Sequence, residues 1–320
     1  MIRVRTPLRL PFAGGLTDIK RYAVEYGGVT VSSTIDLGVE VSVAPSSAGV
    51  FTITSGDSRE TATTAAAIGN DLVRMALSQV DYRGQALDID IEVEVQDHSG
   101  LGTSGAITVA LVHALRLLRG EEPDAGQLAA DATHIEVELL SGASGYHDAN
   151  VCARGGLLRL DYAGAEVSAL RLHATAGFER TFQESLLLFA TGRRASTKAS
   201  LGLLSAGFEA ALPILHDMKQ LALDTAAAHQ AADLTGLADN IGEQQRLKQL
   251  LPGTFVDGFV EQVAGKVRAT GARAQFPGGK IGGYVLVCCP QGQQDAVRAA
   301  LADFAEVPVR LSDTGSRQLE

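Results

Sequence analysis

Short segments rich in glycine and hydroxyl groups hold most of the residues that could do chemistry in this chain. The segment 97–106 reads DHSGLGTSGA, and Thr103 and Ser104 offer hydroxyl groups to a phosphate or a bound Mg²⁺. The alternating segment 87–95 predicts a strand before it, and the apolar segment 107–118 predicts a buried helix after it. A loop that enters a helix N-terminus suits an anion, because backbone N–H groups point outward where the helix dipole is positive. The alternative is an ordinary turn in which Thr103 or Ser104 caps the helix.

Carboxylates accompany the other candidate segments. The segment 13–18, AGGLTD, ends in Asp18, and the segment 141–148, SGASGYHD, ends in Asp148. Glu136 is a polar exception in the helix predicted between residue 124 and about residue 140. Taken singly, each carboxylate also has a structural interpretation, as a helix cap, a turn residue or a solvated helix residue.

Composition limits the classes of protein to consider. The chain has 320 residues, of which 46% are hydrophobic and 20% charged, and this predicts a globular protein of about two domains. The net charge of −10 argues against nucleic acid or an anionic membrane as the main partner. The three cysteines, Cys152, Cys288 and Cys289, do not suggest a disulfide framework or a metal site, and they favour a reducing cytoplasm. No apolar segment approaches the length of a membrane span.

The remaining patterns predict alternating strands and helices throughout the chain. An edge strand is expected over 2–12 and a short helix over 19–25. The segments 29–35 and 38–44 predict two antiparallel strands. Long helices are expected in the second half, and a domain junction near 163–180 divides the chain into domains 1–175 and 176–320.

The order of these segments resembles that of the GHMP kinases. The middle signature of that superfamily is P-x-G-x-G-L-G-S-S-A, and residues 99–106, SGLGTSGA, keep its GLG core and hydroxyl pair without the preceding proline and first glycine. Residues 6–18, TPLRLPFAGGLTD, resemble the sugar-kinase form of the first motif, closest to the heptose 7-phosphate 1-kinase and fucokinase branch. Residues 275–283, QFPGGKIGG, depart most from the family pattern, because Lys280 and Ile281 replace small residues.

The resemblance implies a role for each candidate residue. Asp148 would be the catalytic base with Arg9 beside it, and the metal Mg²⁺ would be held by Ser104 and Glu136. The substrate would contact Gly14, Gly15, Asp18 and Arg194. The ATP phosphates would be bound by Ser99, Gly100, Leu101, Gly102, Thr103, Ser104 and Gly105.

The resemblance also implies a fold and a function. It implies an α+β protein with a ribosomal-S5-like N-terminal domain, a ferredoxin-like C-terminal domain and the active site between them. The implied activity is an ATP- and Mg²⁺-dependent transfer of phosphate to a sugar or sugar phosphate, at the anomeric C1 hydroxyl. A kinase of a non-sugar alcohol such as homoserine, threonine or mevalonate is one alternative, and the AGGxTD form of residues 13–18 argues against it. A non-catalytic ligand-binding regulator is the other, and the retention of Glu136 and Asp148 argues against it.

Overall fold

The computed structural model describes residues 1–95, 100–140, 144–193, 204, 206–252, 258–278, 283–290 and 292–320. Its strands are β1 (Ile2–Ala13), β2 (Gly28–Pro45), β3 (Phe51–Ser55), β4 (Ser58–Ala62), β5 (Leu87–Val93), β6 (Leu157–Ala163), β7 (Glu166–Arg171), β8 (Leu186–Ala190), β9 (Arg273–Gln275), β10 (Tyr284–Cys288), β11 (Ala305–Glu306), β12 (Leu311–Ser312) and β13 (Arg317–Gln318). Its α-helices are α1 (Lys20–Tyr26), α2 (Asp71–Gln79), α3 (Thr103–Leu118), α4 (Ala125–Thr133), α5 (His147–Arg154), α6 (Ala176–Ser185), α7 (Phe208–Gln230), α8 (Leu234–Leu250), α9 (Gly258–Ala269) and α10 (Gln294–Ala300). A 3₁₀ helix covers Ala65–Ala67, and a π-helical turn covers His134–Leu139.

One long strand, β2, organises the first sheet. This sheet has the order β13-β1-β2-β5-β3-β4, and β6 and β12 also pair with β2. The first half of β2 pairs with β6 and the second half pairs with β5, while β1 pairs with both halves. The prediction of two antiparallel strands over 29–35 and 38–44 is therefore wrong, because the two segments continue as one strand with different partners. The prediction that residues 2–12 form an edge strand is also wrong, since β1 lies between β2 and β13.

The register between β1 and β2 shifts beside Arg9. Pro7 lies opposite Gly38, but Arg9 lies opposite Thr34, so β2 carries extra residues at this point. Such a bulge bends the strand and re-aims the neighbouring side chains, and bulges are common next to active sites. The shift sets the position from which Arg9 leaves the sheet.

Helix α3 is the core element beneath the first sheet. Its residues from Gly105 to Leu115 are buried with the exception of Ile107, and it packs against β1 and β2. Each fully buried large aliphatic side chain contributes about 1.5–3 kcal/mol. A helix that is buried on almost every side holds its N-terminus in a fixed place, and that N-terminus, at Thr103, lies within the segment 97–106.

A second, four-stranded antiparallel sheet has the order β11-β8-β10-β9. Apolar residues of α9 and α10, such as Val260, Val267 and Val297, pack with those of β8 and β10 in a separate core cluster. The prediction of mixed helices and sheets is confirmed. The S5-like and ferredoxin-like architectures and the boundary between residues 175 and 176 stay predictions.

Residues 311–318 return to the first sheet. Strand β12 pairs with β2 and strand β13 pairs with β1. The Ser316 hydroxyl lies 2.8 Å from both Thr6 Oγ1 and His113 Nδ1, which joins this segment to β1 and α3. Among the described residues, no helix is both long and apolar enough to cross a membrane.

Candidate active site

Three segments meet around Arg9: the first loop (residues 13–18), the second loop (residues 100–105) and the third turn (residues 276–278). The backbone N–H of Arg9 donates to the Leu101 carbonyl at 3.0 Å, and Arg9 Nη1 donates to the Gly100 carbonyl at 2.5 Å. Strand β1 therefore anchors the second loop through both its backbone and the Arg9 side chain.

Glycine is required at two positions of the second loop. Gly100 and Gly102 both have a φ of 78°, in the left-handed region that residues with a side chain rarely adopt. Gly102 is the residue before α3, and it has no side chain to cap the helix. The first turn of a helix has N–H groups without partners inside the helix, so this loop suits an anion. Ser99, which is predicted from the sequence to bind the ATP phosphates, lies outside the described residues.

Arg9 and Asp148 form the central ion pair. Arg9 Nε and Nη2 both donate to Asp148 Oδ1, at 2.9 and 2.8 Å. The Arg9 side chain is only 5% exposed, whereas 31% of the Asp148 side chain remains exposed. Burial opposes ionisation of Asp148, but the charge of Arg9 and the contact with His147 outweigh it and hold the pKa of Asp148 well below its usual range. Asp148 is therefore a carboxylate at every working pH, and one side of it is open.

His147 orients Asp148 from behind. Its Nδ1 lies 3.3 Å from Asp148 Oδ1, and its Nε2 lies 2.6 Å from the hydroxyl of the buried Ser32 on β2. A neutral imidazole can donate from Nδ1 to the carboxylate and accept at Nε2 from the serine. The structure thus places His147 in a buried chain of polar contacts that ends at Asp148.

Asp18 joins the first loop to the start of α5. Its Oδ1 accepts from the Leu16 N–H at 3.1 Å, and its Oδ2 accepts from the His147 N–H at 3.2 Å. Burial, together with the charge of Asp148, raises the pKa of Asp18. The alternative that Asp18 caps helix α1 does not describe the structure, because the residue before that helix is Ile19 and the Asp18 carboxylate contacts other N–H groups.

The first loop packs too tightly for a side chain at Gly14. Gly14 has a φ of 80°, and a Cβ there would lie 2.0 Å from the Val29 carbonyl oxygen. The Gly14 N–H donates to Gln244 Oε1 of α8 at 2.9 Å, and Gly15 lies beside the same side chain. The structure thus places both glycines next to Asp18 by packing, and their contact with a substrate stays a prediction.

Glu136 and Ser104 form the candidate metal site. The Ser104 hydroxyl donates to Glu136 Oε1. Glu136 lies in the π-helical turn after α4 and is 4% exposed, whereas Glu138 two residues later is solvated and pairs with Lys20. The alternative that Glu136 is a solvated residue like Glu138 is therefore wrong, and π-helical turns often occur at functional sites.

The chemistry of this pair fits a hard divalent cation. Burial and the nearby charge of Asp148 raise the pKa of Glu136 to about 7, so both effects disfavour its ionised form. A bound Mg²⁺ would reverse that preference, and a hydroxyl with one carboxylate is a donor set that Mg²⁺ accepts when phosphate oxygens complete it. Among the residues that the structure describes, no cluster of three or more His, Cys, Asp or Glu side chains could hold a metal by itself.

Sequence reasoning missed three buried polar residues of α8. Gln244, Gln245 and Lys248 are each 5% exposed or less, and their side chains contact the first loop and the third turn. In the sequence they read as the solvated face of a helix, and their only signal is that they share one helical face with the apolar Ile241. Two predicted residues, Arg194 and Lys280, lie outside the described part of the chain.

The chain is similar in sequence to known kinases. Residues 65–156 match the family model described as GHMP kinases N terminal domain. A D-glycero-alpha-D-manno-heptose 7-phosphate kinase from Campylobacter jejuni is 26% identical over 303 residues, which cover 89% of this chain and 88% of that protein. A mevalonate kinase from Methanothermobacter thermautotrophicus is 34% identical over 140 residues. This match covers 44% of this chain and 46% of that protein, so it spans less than half of each.

The fold has counterparts among solved structures. The crystal structure of a D-glycero-D-manno-heptose 1-phosphate kinase from Bacteroides thetaiotaomicron superposes with a TM-score of 0.82 at 21% identity, over 100% of this chain and 99% of that one. The named relatives are phosphotransferases that act on hydroxyl groups, which is the enzyme class predicted from the sequence. The family model covers the second loop, Glu136 and Asp148, so residues 65–156 are similar to a GHMP kinase N-terminal domain, and heptose phosphate kinases and mevalonate kinases are homologues of this chain.

Proposed function

We propose that this protein is an ATP- and Mg²⁺-dependent sugar kinase that phosphorylates the anomeric C1 hydroxyl of a sugar or sugar phosphate, as a heptose 7-phosphate 1-kinase does. The observation that carries the proposal is the Arg9–Asp148 pair, which has one open carboxylate face and adjoins a loop suited to phosphates. Residues 13–18 favour a sugar over a non-sugar alcohol, because they have the AGGxTD form of the sugar-kinase branch.

The second loop binds the nucleotide phosphates in this proposal. Its backbone N–H groups at the start of α3 provide hydrogen bonds and the positive end of the helix dipole. Ser104 and Glu136 would hold Mg²⁺, which would neutralise the charge on the transferred phosphoryl group. An acidic protein can therefore bind a triphosphate through local backbone groups and Arg9, in spite of its net charge of −10.

Asp148 accepts the hydrogen bond of the attacking hydroxyl. Because Arg9 holds the Asp148 pKa low, the carboxylate stays ionised, but it is a weak proton acceptor until the hydroxyl oxygen begins to bond to phosphorus. The transition state of phosphoryl transfer is loose, so the proton leaves late and positioning of the hydroxyl matters most. Asp18, tied to the His147 N–H, is placed to hold a second hydroxyl of the same sugar.

Turnover with a panel of acceptors tests the proposal. ADP release is measured with ATP, Mg²⁺ and D-glycero-D-manno-heptose 7-phosphate, fucose, galactose, homoserine or mevalonate, and ³¹P NMR locates the new phosphate. We expect turnover with a sugar or sugar phosphate and a product phosphorylated at C1. Turnover with mevalonate or homoserine alone would contradict the sugar assignment. A sugar that raises the melting temperature without any turnover would indicate a binding protein.

Asp148→Asn tests the role of the carboxylate. We expect turnover to fall by about 10²–10⁴-fold, which is the usual contribution of a general base. Nucleotide affinity should change little, because the second loop contacts phosphates through its backbone. Asp161→Asn is the control: Asp161 forms an ion pair with Arg159 on β6, and the loss of this carboxylate should leave turnover unchanged. Full activity of Asp148→Asn would contradict this assignment.

A further inference from the structure

Helix α8 presents a buried row of polar side chains to the active site. Gln244 and Gln245 lie four and three residues before Lys248, so both lie on the same face of the helix as Lys248. Lys248 is 5% exposed, and lysine is almost never buried to this extent without partners. A buried polar side chain needs hydrogen-bond partners, and those of this row are backbone groups of the first loop and the third turn.

The row holds the third turn at three points. Gln245 Oε1 accepts from the Phe276 N–H at 2.9 Å. Lys248 Nζ donates to the carbonyls of Phe276 and Gly278, at 2.7 and 2.8 Å. An ammonium that bridges two carbonyls two residues apart fixes both the position and the curvature of that turn.

The third turn lies directly on the second loop. A Cβ on Gly100 would lie 2.4 Å from the Pro277 carbonyl oxygen, and a Cβ on Gly278 would lie 3.1 Å from the Gly100 Cα. Both glycines have positive φ, 78° for Gly100 and 74° for Gly278. Backbone therefore packs on backbone with no side chain between, so a displacement of the third turn displaces Gly100.

The surroundings of Lys248 disfavour its charged form. Its burial, together with repulsion from Arg9, lowers its pKa to about 7. A neutral amide side chain could also donate to two carbonyls without this penalty. A polyanion bound at the second loop would favour the charged form of Lys248, because the negative charge of the polyanion would stabilise both Lys248 and Arg9.

We propose that Lys248 is a positioning residue for phosphoryl transfer, which holds the third turn on Gly100 and so sets the shape of the loop that receives the nucleotide phosphates. This inference rests on the proposed function, since it assigns the second loop to a nucleotide. It adds a residue to the site from a helix that contributes none of the residues predicted from the sequence.

Two substitutions of Lys248 separate positioning from simple stabilisation. Lys248→Met keeps the length of the side chain but removes its hydrogen-bond donors and its charge. Lys248→Arg keeps the donors and the charge. Lys219→Met is the matched control. Lys219 of α7 also donates to a backbone carbonyl, that of Tyr26 at 2.8 Å, and Tyr26 lies outside the first loop, the second loop and the third turn. For each variant we measure the dissociation constant of MgATP, the KM for ATP, kcat and the melting temperature.

We expect Lys248→Met to weaken MgATP binding about tenfold or more. Its kcat should fall by about 10²-fold, the usual effect of a displacement near 1 Å in a site. Lys248→Arg should recover most of both values. Lys219→Met should change the melting temperature without changing either value. An unchanged dissociation constant in Lys248→Met, or a loss of kcat that only follows a loss of melting temperature, would overturn the inference.

The binding measurement keeps this inference separate from the proposed function. If the wild-type protein turns over no substrate but Lys248→Met weakens MgATP binding, the kinase is overturned, and the part of the inference by which Lys248 shapes the nucleotide loop stands. If the wild type is a kinase and Lys248→Met leaves its MgATP affinity unchanged, the proposed function stands and the inference is overturned. A wild-type protein with no affinity for MgATP would overturn both.

Discussion

The ion pair of Arg9 and Asp148 should show a strong energetic coupling that a double-mutant cycle can measure. The cycle compares the wild type with Arg9→Met, Asp148→Asn and the double variant. Each single change leaves the remaining charge of the pair without its counter-charge, whereas the double change removes both charges. We therefore expect the double variant to be more stable than the sum of the two single effects predicts.

The size of the effect follows from burial. Removing one partner of a buried ion pair costs about 3–5 kcal/mol of unfolding free energy. Since 31% of the Asp148 side chain is exposed, we expect a smaller loss than this range, roughly 2–3 kcal/mol, for each single variant. The coupling free energy should be about 1–3 kcal/mol. The surface pair Arg159 and Asp161 should show a coupling of about 0–1 kcal/mol.

Urea unfolding at several pH values gives the measurement. The folded-state pKa of Asp148 lies below its ordinary value of 3.8, so the stabilisation by the pair is present above that value and lost as the pH falls through the folded-state pKa. The coupling should therefore stay constant from about pH 8 to pH 5 and decline only in strong acid. Additivity within about 0.5 kcal/mol, or a coupling equal to that of the surface pair, would refute the reasoning.

Two further predictions concern the substrate side and the metal side of the site. In Gly145→Ala the new Cβ would lie 1.9 Å from Asp18 Oδ2. We therefore expect urea unfolding to show a loss of about 1–3 kcal/mol in unfolding free energy. In steady-state kinetics, the KM for the sugar should rise more than the KM for ATP. In Glu136→Gln the loss of the carboxylate charge should raise the Mg²⁺ concentration for half-maximal activity by roughly tenfold or more, and an unchanged Mg²⁺ dependence would remove Glu136 from the metal site.

The loops of the site were predictable because their chemistry is local. Gly100 and Gly102 adopt the positive φ that glycine tolerates, and the apolar segment after them forms the buried helix α3 as predicted. Asp18 and Asp148 follow glycines in the sequence, and the structure brings both next to His147. The motif order was sufficient to place these residues together.

Features that depend on distant partners were not predictable from the sequence. Residues 36 and 37 lie between the two predicted strands, but the change of partners from β6 to β5 allows β2 to continue through them. Glu136 reads like Glu138, and the difference in burial comes from the π-helical turn that directs Glu136 inward. Lys248 reads as a solvated lysine, because its two carbonyl partners lie about thirty residues later in the chain.

The return of residues 311–318 to the first sheet has a consequence for the order of folding. Strands β12 and β13 pair with β2 and β1, and Ser316 contacts Thr6, so neighbours in space are separated by about the whole sequence. Contacts of such long sequence separation form slowly, because the chain must close a large loop before it gains their energy. During synthesis the outer edge of β1 at Val4 and Arg5 therefore stays unpaired until residues 317 and 318 have left the ribosome, and an unpaired strand edge is prone to aggregation.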